Sequence, residues 1–329
     1  MSSERDKTTR PKRRRKILLV VLVSFVTIGV IAAPFALQYR RQIWSYLTHW
    51  KGSPTHTTAF RPYAIDPELH VGVAGDIGDS GDRLDATAQA MARLGRADPY
   101  EVLLLLGDNV YPSGDPKELP NTVFSPFAEV LESARLLAIL GNHDVKEGHV
   151  PAQMQALGMP GRWWADEIDD TLFVGLDSNE PRNPKQLAFL KRTLSASTAR
   201  WKIVAVHHPP YSAGYQGSSE DVRQIFSPIF EKYNVQLVLS GHDHDYQRSK
   251  PIGGVTYVVS GGAAGTRRTG TESFTAESFS WHHFLDLAIF PDRLVGRAVN
   301  QDRRVADTFV LRPSPHASAQ ASESSVLTG

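Results

Sequence analysis

From residue 17 to residue 37 the chain reads ILLVVLVSFVTIGVIAAPFAL, 21 residues without a charge and without a polar face. At about 1.5 Å of rise per residue such a run reaches roughly 30 Å, the depth of a bilayer's hydrocarbon core. The pattern predicts a transmembrane helix over 17–37, because a soluble helix would show one polar side. Residues 38–68 are mixed and predict a tether, with Trp44 and Trp50 suited to a membrane interface. Beyond it, short apolar runs alternate with amphipathic stretches. Strands are predicted at 70–76, 102–108, 136–140, 172–177, 202–207 and 235–240, and helices at 83–95, 122–133, 185–195 and 221–233. Near-continuous apolar strands such as VLLLL belong to a sheet covered on both faces. From Val255 onward strands follow without helices (VTYVVSG, FLDLAIF, RLVGRAV, ADTFVLR), which predicts a second, largely antiparallel sheet packed on the first. The Ser- and Ala-rich stretch from Pro313 predicts a disordered tail.

Charge adds direction to this layout. Residues 1–16 carry eight Lys or Arg against Glu4 and Asp6, a local charge of +6, which leaves −5 for the other residues of a chain whose net charge is +1. The basic tail ahead of the apolar run, against Arg40, Arg41 and Lys51 behind it, orients the N-terminus to the cytoplasm and the rest of the chain to the far side. Secretion after signal cleavage is the alternative. It fits less well, because the apolar run is longer than the 7–15 residues of a signal core and no clean small-x-small site follows. A twin-arginine signal fits the flanking residues poorly. The mildly acidic remainder excludes a nucleic-acid-binding surface. With 41% hydrophobic and 22% charged residues a sizeable core is expected. The lack of cysteine removes disulfides, thiolate nucleophiles and Cys-ligated zinc.

The candidate chemistry sits at the strand ends. VGVAGD ends at Asp76, VLLLLGD at Asp108, LLAILGN at Asn142 with His143, IVAVHH at His207 and His208, and VQLVLSGHDH at His242 and His244. In open α/β sheets the carboxyl ends of strands converge on one crevice. A single Gly-Asp after a strand is usually a turn or a helix cap, and a single Gly-Asn-His usually a loop. That all of them are structural, in this order and at strand ends, is much harder to sustain. Oxygen and imidazole donors together suit iron, zinc or manganese.

At these residues the chain resembles the calcineurin-like metallophosphoesterases, and within them the purple acid phosphatases of the tartrate-resistant acid phosphatase type. The matching blocks are GDIG at 75–78, GDNVY at 107–111, GNHD at 141–144, VAVHHP at 204–209 and GHDH at 241–244. Most of the superfamily has Asp-x-His in the first block; here Gly78 stands where that histidine would be, and Tyr111 follows Asp108 three residues on. The resemblance implies a four-layer α/β/β/α sandwich of two mixed sheets, spanning 69–312, with a two-metal site. One ion would take Asp76, Tyr111 and His244, the other Asn142, His207 and His242, with Asp108 shared. Fe(III) is implied at the Tyr111 site and Fe(II), Zn or Mn at the second, since a phenolate favours a trivalent ion. The implied reaction is phosphate monoester hydrolysis by a metal-bound hydroxide, with Asn142, His143 and Gln216 meeting a small-molecule phosphoester. Proton delivery would fall to His143, or to His208 if it faces the site. Gln216, in PPYSAGYQGSS, stands about where relatives often carry a second histidine, and an amide cannot deliver a proton.

Some neighbours read as structural. His282 and His283 open a strand, where alternation turns one inward. GGAAG at 261–265 lacks the lysine and helix of a nucleotide-binding loop and reads as a tight turn bordering the site. Arg267 and Arg268 read first as solvated surface, second as contacts to an anionic substrate. Two further functional readings stay open: a phosphodiesterase or nucleotidase on the same scaffold, and a binding module that keeps its metals with little catalysis.

Overall fold

The computed structural model describes residues 51–313. The predicted span at 17–37, its basic flank and most of the C-terminal tail lie outside the described residues, and so does the first part of the tether. Among the described residues no helix is long and apolar enough to cross a membrane.

Two seven-stranded sheets carry the fold. In chain order the strands are β1 (Thr58–Ala59), β2 (Leu69–Ala74), β3 (Val102–Leu105), β4 (Arg135–Ala138), β5 (Trp164–Ile168), β6 (Thr171–Leu176), β7 (Trp201–Val206), β8 (Leu237–Ser240), β9 (Tyr246–Ser249), β10 (Thr256–Ser260), β11 (Thr275–Phe279), β12 (His283–Ile289), β13 (Leu294–Asn300) and β14 (Arg304–Leu311). The first sheet runs β1-β14-β13-β12-β2-β3-β4 and the second β11-β9-β10-β8-β7-β6-β5. Strands β2, β3 and β4 are parallel, as are β6, β7, β8 and β10. Each parallel group therefore sends all its carboxyl ends the same way.

Alternation along the strands builds the layers. Val71, Val73 and Leu104 of the first sheet meet Ile203, Ala205, Leu237 and Leu239 of the second in one buried cluster. The intervening residues point outward: Leu103 and Leu105 join Ala88 and Met91 of helix α1 (Asp82–Gly95). On the far side Val204, Val206 and Val238 pack on Leu190 and Leu194 of the helix at Pro184–Ala196 and on Phe226 and Phe230 of that at Glu220–Lys232. Helix, sheet, sheet, helix is the result, and it explains why the strands are apolar on both faces.

Three expectations are corrected. The C-terminal strands do not form a sheet of their own. β10 joins the second sheet parallel to β8, while β12 pairs antiparallel with β2 and leads β13 and β14 into the first. Alternation identifies a strand but not its partner. The helix predicted over 122–133 is broken into a π-turn at Pro120–Phe124 and a short α-helix at Ala128–Leu131. Pro126 lies between them, with no N–H to continue the ladder. Part of the expected tether is docked, since Thr58 and Ala59 pair with Val305 and Arg304, and Lys51 bridges to Thr269.

Candidate metal centre

The turns that leave the parallel strands are held in unusual backbone conformations. Asp76, Asp108 and His242 have φ of 57°, 52° and 71°, in the left-handed region that costs a non-glycine residue about 1–3 kcal/mol and clusters at functional sites. Neighbouring glycines make room. A Cβ on Gly141 would overlap the Asp108 carboxylate, and one on Gly241 would stand 2.5 Å from Asp76 Oδ2. Backbone donors aim the acids: the His242 N–H donates to Asp76 Oδ2 at 2.8 Å, and the His143 N–H to Asp108 Oδ1 at 2.8 Å.

These turns bring all seven expected ligands into one place. The Tyr111 hydroxyl donates to Asp76 Oδ1 at 3.2 Å and lies 3.0 Å from His244 Nε2. His244 Nε2 is also 3.5 Å from Asp76 Oδ1. In a second group, Asn142 Oδ1 is 3.2 Å from His207 Nε2 and 2.9 Å from His242 Nδ1. Asp108 lies 3.5 Å from His207 Nε2 and shares the cleft lining with Tyr111. Asp76, Asp108 and His207 each offer a ligand atom within 4.8 Å of the others, and all three are buried.

The donor set fits cations. His207 Nδ1 is 2.8 Å from the Leu106 carbonyl, which takes an N–H there and leaves Nε2 as the atom facing Asn142 and Asp108. A neutral ring thus turns a lone pair toward two further acceptors, an arrangement that only a cation or a proton satisfies. Burial alone would lower His207, yet Asp108 and Asp76 raise it above its ordinary value, so the two carboxylates favour positive charge at that atom. Burial followed by the same two carboxylates holds the Tyr111 phenol far above its usual range, and a strongly charged ion must displace that proton. His242 is pushed well down, by burial and then by His207, His208 and His244, so its ring stays neutral and ready to ligate.

Above these atoms lies a cleft of about 290 Å³, lined among others by Asn142, His143, Gln216, Gly265 and Arg267. Gln216 is exposed on that lining. His143 Nδ1 sits 2.7 Å from the Pro112 carbonyl, which leaves Nε2 for the cleft. His208 is not on the lining. Its Nδ1 is 2.7 Å from Ser178 Oγ, and burial followed by the neighbouring His207 pushes it down to about 3. The ring is therefore uncharged at ordinary pH and does not take the proton-donor role left open to it. His283 is buried between Ser260 Oγ and the Trp281 carbonyl, as a structural histidine should be.

Two further residues matter at the site. Arg267, read first as solvated surface and second as a contact to an anionic substrate, is exposed and lines the cleft. Asp144, the last residue of GNHD, is buried and accepts from the backbone N–H groups of Gly141, Asn109 and Val110 and from the side chains of Asn109 and Gln153. It pins the Asp108 turn to the Asn142 turn. Burial and then Asp108 raise it to about 6 despite those donors.

The chain belongs to the calcineurin-like phosphoesterase family, whose sequence model matches residues 69–246. Within that family it is purple acid phosphatase-like. It is 29% identical to tartrate-resistant acid phosphatase type 5 of Oryctolagus cuniculus over 250 residues, covering 63% of this chain and 77% of that one. It is 28% identical to purple acid phosphatase 4 of Arabidopsis thaliana over 229 residues, covering 58% and 67%. The purple acid phosphatase of yellow lupin (Lupinus luteus) seeds shares the fold at a TM-score of 0.67 with 18% identity, over 78% of this chain and 56% of that one. GAP50, the anchor in the inner membrane complex of Plasmodium, does so at 0.67 with 19% identity, over 76% and 90%.

Proposed function

We propose that this metallophosphoesterase hydrolyses phosphate monoesters at a two-ion centre. Asp76, Tyr111 and His244 hold the first ion, Fe(III); Asn142, His207 and His242 hold the second, Fe(II), Zn or Mn; Asp108 is shared. The observation that carries the reading is the Tyr111 hydroxyl, 3.0 Å from His244 Nε2 and 3.2 Å from Asp76 Oδ1. A phenol inside the donor cluster is what a trivalent ion selects. Bound there, such a pair of ions supplies an acidified water and the positive charge that stabilises in-line displacement at phosphorus.

The chain's own residues do the rest. Backbone N–H groups of His143 and His242 fix the two carboxylates, so the donors are oriented before any ion or substrate arrives. His143, its Nδ1 tied to Pro112, presents Nε2 to the cleft and hands a proton to the leaving oxygen. Gln216 donates its amide to the phosphate without delivering a proton. Residues 17–37 anchor the domain outside the cytoplasm, a reading supported by the uncharged span and its basic flank; protease protection of membrane vesicles tests it.

A visible spectrum and metal analysis of the purified protein test the centre. Two ions per chain and a violet band that disappears in Tyr111→Phe support the assignment; a colourless protein with two divalent ions sinks the Fe(III) reading. Faster turnover of bis-p-nitrophenyl phosphate than of p-nitrophenyl phosphate favours the diesterase alternative. No turnover of either with both ions bound favours a metal-retaining binding module.

A further inference from the structure

A cleft that gripped only phosphate would treat all esters alike, but this one carries a positive wall. Arg267 lines it and is exposed, and among the described residues no carboxylate forms a salt bridge with its guanidinium. The guanidinium lies 5.5 Å from the centre of the Tyr215 ring, whose residue is 44% exposed beside Gln216.

The two loops that bring Arg267 and Tyr215 together are fastened to the ligand turn. The Arg267 N–H donates to the His244 carbonyl at 2.6 Å. The Tyr215 loop hangs on buried acids from the same turn: Ser212 Oγ donates to Asp243, and the Gln216 N–H donates to Asp243 Oδ1 at 2.7 Å. Gln247 links the two, accepting from the Ala213 N–H and donating to Ser212 Oγ and Asp245. The Gly270 N–H closes the arrangement on the Ala213 carbonyl. The backbone that carries arginine and ring is thus held by a buried scaffold, which leaves only the two side chains to be ordered on binding.

We propose that Arg267, braced by Tyr215, forms a leaving-group subsite that selects phosphoesters whose organic part carries a second negative charge. The proposal rests on the phosphatase reading of the same cleft. The scissile phosphate sits against the donor cluster, so a guanidinium on the wall meets what is attached to it. An uncharged leaving group gains little there. A carboxylate or a second phosphate gains a planar, bidentate partner, and an aromatic leaving group gains the Tyr215 ring as a neighbour.

Phenyl phosphate and 4-carboxyphenyl phosphate, given to the metal-loaded full chain, differ by one such charge. The unaltered protein should show the higher kcat/KM for the carboxylate ester. In Arg267→Gln that preference should fall about tenfold, chiefly through KM, with Arg267→Lys keeping part of it and added salt eroding it in the parent. Tyr215→Leu should lower it about twofold. An unchanged ratio in Arg267→Gln overturns the subsite while leaving the phosphatase reading intact. If neither ester turns over, that reading fails, and calorimetric binding of phenylphosphonate and 4-carboxyphenylphosphonate decides the subsite by itself. A preference for the charged ligand that Arg267→Gln abolishes upholds it, and equal affinities sink it.

Discussion

Strand β2 connects two buried polar clusters with opposite electrostatic designs. At its start, His70 Nε2 lies 2.8 Å from Asp286 Oδ1, and the hydroxyls of Tyr63 and Tyr100 donate to the same carboxylate at 2.6 and 2.9 Å. Two residues past its end, Asp76 opens the donor cluster. The first group is complete: His70 lies between Asp286 and the partly exposed Asp98, and Asp286 has enough donors to fill its lone pairs. Burial would raise Asp286, but His70 and the two phenols hold it below the usual carboxylate range. The second group sets Asp76, Asp108 and the Asn142 oxygen against imidazole rings and has no lysine or arginine among its expected ligands. Burial of polar groups does not mark a metal site. An imbalance of acceptors over donors does.

The largest expected effect breaks the cluster that needs cations. Asp108→Ala should lower phosphoester turnover by more than about a hundredfold, beyond what losing an outer partner of a ligand costs, and should reduce bound metal. Turnover and metal content per chain are the measurements. In chelator the same substitution should cost less than about 1 kcal/mol of stability, because it removes one of two close, buried carboxylates. Asp286→Ala should behave in the opposite way. Leaving His70 without its acid is expected to cost about 3–5 kcal/mol in denaturant unfolding, with metal content retained. Equal stability losses for the two variants would erase the distinction between the clusters.

The two ends of β2 also differ in how far they can be read from sequence. Asp76, Asp108, Asn142, His207 and His242 follow apolar runs directly, so the layout of the sheet places them together. His244 follows in the same turn, but the seventh ligand, Tyr111, needed the family resemblance, because nothing in a single turn says which ion a phenol meets. The His70–Asp286 pair was invisible, since its members stand 216 residues apart and each looks like one alternate position of an ordinary strand. The same limit hid the sheet topology: β12 reads equally well as part of a separate sheet until its register with β2 is seen. For Arg267 the sequence leaves two readings, solvated surface or contact to an anionic substrate, and its position on the cleft is what separates them.

A smaller effect sharpens the contrast within the metal cluster itself. Asp144 touches no expected ion, yet its carboxylate accepts from Gly141, Asn109 and Val110, the backbone between the Asp108 and Asn142 turns. Asp144→Asn keeps the shape and turns one acceptor into a donor facing those N–H groups. Turnover and metal affinity should each fall about 10–100-fold, the range for groups that orient ligands. Retained affinity with lost turnover would instead indicate that Asp144 acts on substrate.

The smallest effect concerns pH at the self-sufficient end. Burial would lower His70, but Asp286 and Asp98 outweigh it and raise the imidazole above its ordinary value. The stability this gives is present in full below about pH 6.5, where the unfolded ring is also charged, and is lost as pH rises through the raised folded value. Asp286 works in the other direction: its share is present above about pH 3.9 and is lost as pH falls through its lowered folded value. The groups facing His70 are Asp98 at 3.3 Å, Glu101 on its backbone N–H, Asp286, and the Tyr63 and Tyr100 rings, with Arg297 stacked on Tyr63. The stability difference between the parent protein and His70→Gln, measured by denaturant unfolding in chelator, should therefore be greatest between about pH 4 and 6.5 and shrink on both sides. Subtraction removes what the metal cluster adds at each pH. A difference that grows as pH rises above 6.5 would mean that His70 is buried neutral, and the ion-paired account of this cluster would fail.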